Sequence, residues 1–132
     1  MKVYHRDQTD AEKARSKRGK KSGRKGKRFE QDVAKRLREV LPKAYTVYRR
    51  PQNETMHRVP DVSVSMNGRQ EIGVECKHRD KVNLLSALDQ AIIDTDNRGL
   101  PVAVCKETRQ AAVVVMLFDD WLQLIAEAKG ER

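Results

Sequence analysis

The sequence predicts an α/β domain with a central mixed sheet flanked by helices, in the order helix, three strands, helix, strand, strand, helix. Three observations predict it. Lys27 to Leu41 carries a helical apolar period, two segments alternating apolar and polar residues flank Asn67-Gly68, and two unbroken apolar runs follow a second helix-like segment.

In the first helix, Phe29, Val40, Val33, Leu37 and Leu41 fall at about 0°, 20°, 40°, 80° and 120° at 100° per residue, so they share one face. Glu30 falls at about 100°, inside that stripe. A carboxylate on a buried face costs several kcal/mol unless it is paired or bound to a cation. Pro42 ends this helix, and Tyr45 to Arg49 reads as a strand. Pro51 to Val59 is a polar loop, and Pro60 opens the next strand.

Along the hairpin, Val62, Val64 and Met66 alternate with Asp61, Ser63 and Ser65, while Ile72, Val74 and Cys76 alternate with Glu71, Gly73, Glu75 and Lys77. A two-residue loop at Asn67-Gly68 would pair 66 with 69 and 61 with 74, setting Asp61 on the face of Val74 and burying half the polar set. A three-residue loop, pairing Met66 with Gln70 or Ser65 with Arg69, matches apolar with apolar. The expected turn is therefore odd, with Gly68 in the left-handed position of a bulged turn.

Asn83 is the expected N-cap of a helix carrying Leu84, Leu85, Leu88, Ala91 and Ile92. Gly99 and Pro101 introduce Val102 to Cys105, a run typical of a strand covered on both faces, and Ala111 to Leu117 reads as another. Asp119 is the expected cap of a last helix with Trp121, Leu122 and Ile125, closed by Gly130. Cys76 and Cys105 sit in apolar runs, so both are expected to be buried and reduced.

Net charge is +9, and its placement is more specific than its size. Residues 1 to 28 hold twelve Lys or Arg against Asp7, Asp10 and Glu12, whereas residues 29 to 132 hold sixteen basic and sixteen acidic residues. The chain is thus expected to divide into a basic N-terminal arm, residues 1 to 25, and a domain from 26 to 132. A segment of this kind grips phosphates, though basic tails are also common as solvated chain. Thr9 to Arg18 could form a short helix only with outside support, since it has almost no apolar face. No run of 18 apolar residues and no apolar N-terminal segment occurs, so neither a membrane span nor a signal peptide is expected.

In the odd register, Asp61 lies opposite or diagonal to Glu75, with Lys77 on the same face about 7 Å further along. Facing carboxylates repel, so a purely structural strand would gain from separating them. A divalent cation removes the conflict, because Mg²⁺ takes one or two carboxylates, waters and a substrate phosphate. Asp61 and Glu75, with the Cys76 carbonyl, are the expected Mg²⁺ ligands, and Mn²⁺ could take its place. Lys77 would orient water or neutralise charge on the phosphate, and Glu30 could complete the ligand shell. His57 and His78 are expected at the surface, and this chemistry does not need them.

Pro60-Asp61 followed by Glu75-Cys76-Lys77 resembles the PD-(D/E)xK nuclease superfamily. The layout is most similar to archaeal-type Holliday junction resolvases and related phage nucleases. Gly26-Lys27-Arg28-Phe29-Glu30-Gln31-Asp32-Val33 resembles their opening helix, Arg49-Arg50 stands where they carry a basic residue, and Gln90 matches another recurring polar position. The resemblance implies a restriction-endonuclease-like core and catalytic Glu30, Asp61, Glu75 and Lys77. It also implies a homodimer that nicks opposing strands of four-way DNA junctions to leave 5′-phosphates. Arg24, Lys25, Lys27, Arg28, Arg49, Arg50 and Gln90 are the expected DNA contacts. The setting would be intracellular, in the cytoplasm or nucleoid of a prokaryotic host or encoded by its phage, with no membrane and no small-molecule cofactor. The loop Pro51 to Val59, with Glu54 and His57, departs from the small Gly/Ser-rich connection of that subfamily. Two other readings stay open: a superfamily nuclease cutting flaps, ends or single strands, and a non-catalytic DNA-binding module.

Overall fold

A computed structural model describes residues 19–51 and 58–130. It consists of α1 (Gly19–Val40), β1 (Tyr45–Arg49), β2 (Val62–Met66), β3 (Arg69–Arg79), α2 (Leu84–Thr95), β4 (Leu100–Glu107), β5 (Val113–Val115) and α3 (Phe118–Ala128). The sheet runs β1-β2-β3-β4-β5. β1, β2 and β3 are antiparallel neighbours, β3 and β4 are parallel across the α2 crossover, and β5 returns antiparallel to β4. The fold is therefore the α/β mixed sheet with the expected element order.

Period-two alternation along β3 and β4 divides the core into two layers. Phe29, Val33 and Ala34 of α1 pack with Val62, Val64, Val74, Cys76 and Val102. Ala87 and Ala91 of α2 pack with Ala103 and Cys105 on the other face. Both cysteines are buried and free. Gly73 lets α2 come close, because a Cβ there would collide with the Thr95 side chain and Pro60.

Several expectations need correction. α1 begins at Gly19, inside the residues expected as an arm, and runs through Gly23 and Gly26. Each helical glycine costs roughly 1 kcal/mol, but extending an existing helix avoids the cost of nucleation. Lys25 adds an anchor, donating to Thr108 Oγ1 at 3.0 Å and lying 3.7 Å from Asp80. The buried stripe of α1 also shifts: Val40 is 79% exposed at the helix end while Ala34 is fully buried, which centres the stripe close to Glu30. On α2, Leu84 and Leu85 face solvent and the buried set is Ala87, Leu88, Ala91, Asp94 and Thr95. Asn83 caps α2 as expected, accepting from Ser86 N–H at 3.0 Å.

The hairpin turn is two residues long, pairing Met66 with Arg69 and Ser65 with Gln70. Asn67 and Gly68 both take positive φ, 53° and 75°, the primed geometry whose twist matches the strands. A bulge between Val64 and Ser65 then leaves Glu71 as the extra residue, so Val64 pairs with Ile72 and Val62 with Val74. The expected face matching is reached through this bulge, and the expected odd turn is absent.

The C-terminal expectations change most. β5 is only Val113–Val115, and Val113 and Val114 are exposed rather than covered. α3 starts at Phe118 with Leu117 at its N-cap, so Asp119 lies in the first turn, where its charge suits the helix dipole. Gly130 takes φ 76° and donates to the Glu127 carbonyl, closing the helix. Thr9 to Arg18, Glu54 and His57 lie outside the described residues.

Candidate active site

Continuing the β2–β3 register by one pair sets Asp61 opposite Glu75 on the face beneath α2. Both acids are buried, at 7% and 4% exposure. Asp61 Oδ2 accepts the Cys76 N–H at 2.9 Å, which ties the start of β2 to β3. The neighbouring Cys76 carbonyl, expected as a ligand, belongs to the same stretch of backbone. Lys77 Nζ lies 3.3 Å from Glu75 Oε1, while Glu75 Oε2 is buried with no hydrogen-bond partner among the described residues.

Burial pushes the Glu75 carboxyl up to about 8, with the charge of Asp61 adding to the effect and Lys77 opposing it. Glu30 reaches the same patch from α1 on the other face of the sheet. It too is raised, by burial and then by Asp61, against the pull of Arg49. Arg49 lies 3.4 Å from Glu30 Oε2, and Arg50 lies 3.7 Å from Asp61 Oδ1. Both arginines, expected to face DNA, are turned toward the acids.

The other expected DNA contacts separate. Arg24, Lys27 and Arg28 are exposed on α1, whereas Lys25 is engaged with Thr108 and Asp80 at the β3–β4 end. Gln90 donates to Asp94 Oδ1 at 3.0 Å and so belongs to the site's interior. His78 is half-buried, its ring 5.4 Å from that of Phe29.

Asp94 joins the site without having been expected there. It is 8% exposed, its carboxyl lies against Glu75, and burial raises its pKa. The signal was available in the i, i+4, i+7, i+8 run of Ala87, Ala91, Asp94 and Thr95, which Leu84 and Leu85 obscured.

Among the described residues, no three His, Cys, Asp or Glu side chains converge to hold a metal ion. Mg²⁺ needs no such closed cage, since it keeps most of its waters and takes one or two carboxylates. Asp61 and Glu75 fit this role, since the partnerless Glu75 oxygen and the mutual repulsion of the acids both call for positive charge.

Fold and site together define an α/β domain of the restriction-endonuclease-like class, with an acid pair and a lysine at the middle of its sheet. The chain is similar to Hjc, a Holliday junction resolvase from the archaeal hyperthermophile Archaeoglobus fulgidus, with TM-score 0.50 and 17% identity over 69% of this chain and 76% of that one. At this identity the likeness is one of fold, the fold that the PD-(D/E)xK resemblance implies. No family model and no curated protein matches the sequence. No helix among the described residues is long and apolar enough to cross a membrane.

Proposed function

We propose that this chain is a divalent-metal-dependent DNA endonuclease that works as a homodimer and resolves four-way junctions. The observation that carries the reading is the buried, facing Asp61–Glu75 pair beside Lys77, with one Glu75 oxygen left unpartnered. Two ionised acids out of water are unfavourable by several kcal/mol unless a cation completes them.

Asp61 and Glu75 would hold Mg²⁺ or Mn²⁺, with the Cys76 carbonyl as a backbone ligand. The bound ion would polarise the scissile phosphate and lower the pKa of an attacking water. Asp61 is fixed for this task by the Cys76 N–H. Lys77 holds Glu75 Oε1 and presents its ammonium to charge developing on the phosphate. Arg49 and Arg50 neutralise Glu30 and Asp61 and stand within reach of an arriving phosphate. Arg24, Lys27 and Arg28, with the basic residues before them, would grip the DNA backbone. Leu117, Phe118, Trp121 and Leu122 give the second copy of the chain an apolar surface to cover.

Cleavage of four-way junctions should be measured beside duplex, flap and single-stranded DNA of equal length. Junctions cut with Mg²⁺ at symmetry-related positions are the expected result, and indifference to the junction would remove the resolvase assignment. Asp61→Asn should lower cleavage by roughly 10²–10³-fold, the weight of one electrostatic stabiliser, while DNA binding in Ca²⁺ survives. A wild-type protein that never cuts with Mg²⁺ or Mn²⁺ would instead be a DNA-binding module.

A further inference from the structure

Each acid of the motif has a basic partner in the fold: Glu30 has Arg49 at 3.4 Å, Asp61 has Arg50 at 3.7 Å, and Glu75 has Lys77 at 3.3 Å. Asp94 is the fourth acid of this group, and no basic side chain among the described residues forms a salt bridge with it. Its carboxyl is held from one side by Gln90, 3.0 Å away, and lies against Glu75 on the other. Once a cation displaces the proton that burial holds on Glu75, four acids against three bases leave the cluster one negative charge in excess. Glu75, nine-tenths buried with Oε2 unpartnered, is where that excess meets the motif.

The backbone is arranged to produce this approach. Gly73 leaves no Cβ beneath Thr95, so the end of α2 settles on β3, and Asp94, the residue before Thr95, is buried there against Glu75. A helix position needing only to fill space there would take an apolar residue, since buried charge without a counter-charge is unfavourable. Asp94 has a cost that packing alone does not offset.

Resting on the metal-dependent reading above, we infer that Asp94, anchored by Gln90, is a positioning residue of the divalent-cation site. It backs the Glu75 carboxylate and supplies the negative charge by which the cluster exceeds its own arginines and lysine. It acts through Glu75, because no three acidic side chains among the described residues close around one point. Partners of this outer kind typically change metal affinity by roughly 10–100-fold.

The test is Mn²⁺ binding by calorimetry and by electron paramagnetic resonance, on wild type, Asp94→Asn, Asp94→Glu and Gln90→Ala. Asp94→Asn should weaken Mn²⁺ binding by roughly 10–100-fold and shift half-maximal cleavage to higher metal concentration by a similar factor. Asp94→Glu should recover part of both, and Gln90→Ala should lose less. Thermal stability without metal should hold or rise in Asp94→Asn, since an uncompensated buried charge is gone. Unchanged Mn²⁺ affinity in Asp94→Asn, or a loss of melting temperature with no change in metal dependence, overturns the inference. If Asp94→Asn weakens Mn²⁺ binding yet wild type cuts no DNA, the endonuclease reading fails and this one stands. If wild type cuts and Asp94→Asn binds metal normally, the reverse holds.

Discussion

Beneath α2 the fold keeps charge out of water, with Asp61, Glu75 and Asp94 all nearly inaccessible, whereas from Val113 onward it leaves apolar side chains in water. Val114, Phe118 and Trp121 are exposed, and α3 has no buried residue at all. Each region carries a different unfavourable term. Around Glu75 it is the desolvation of carboxylates, which a proton or a cation offsets. Along β5 and α3 it is the hydration of apolar surface, which only a second apolar surface offsets. On the function proposed above, a cation meets the first region and a second copy of the chain the second, and each pairing can be broken separately.

The largest effect should come from the exposed region. Trp121→Glu should convert a dimer to a monomer with the fold intact, because α3 supplies nothing to the core. Losing a large apolar side chain from each half of a two-fold interface costs about 3–6 kcal/mol, or roughly 10²–10⁴-fold in the dimer constant. Analytical ultracentrifugation reads this directly, and a wild type already monomeric at high concentration would end the pairing of α3 with a second copy.

Next in size is the pH dependence of the metal-free protein. Glu75 stands at about 8 in the fold against 4.5 as a free side chain, so the folded state binds the extra proton between those values. The contribution of Glu75 to stability should thus be full below pH 4.5 and be lost as pH rises to 8. At 1.36 kcal/mol per pH unit the loss is at most about 5 kcal/mol. Glu30 and Asp94 are raised as well and add in the same direction. Chemical denaturation across that range checks the slope, Glu75→Gln should flatten it, and Mg²⁺ should stabilise most at the alkaline end. A flat profile in wild type would mean that the acids are not desolvated together.

The smallest effect concerns neither region. Removing residues 1 to 18 should leave both the site and α3 intact. It should lower the log-log salt slope of DNA binding by roughly 0.9 for each phosphate that the shortened chain no longer neutralises. An unchanged slope would remove the arm from the interface.

Much of the site was legible because strands repeat every two residues: that period alone puts Asp61, Glu75 and Lys77 on one face once apolar residues are matched. Glu30 was legible as a charge within an apolar helical stripe. The turn was not, because a two-residue primed turn and the face matching conflict, and a bulge at Glu71 reconciles them only when β2 and β3 pair. Asp94 stayed hidden for a related reason. Periodicity ranks the faces of α2 by their apolar content, and Leu84 and Leu85 outweighed the small residues that actually lie on β3.

By itself, then, the sequence determined the order of elements, the basic start and neutral remainder, and the common face of Asp61, Glu75 and Lys77, since these follow from local period and charge. Only the tertiary structure decided that α1 extends back to Gly19, that Arg49 and Arg50 turn to the acids, and that Asp94 lies against Glu75. It also decided that Val113 and Val114 are exposed among the described residues. A period says which residues share a face. What that face meets depends on the close approach of distant segments, which here turns on the missing Cβ of Gly73.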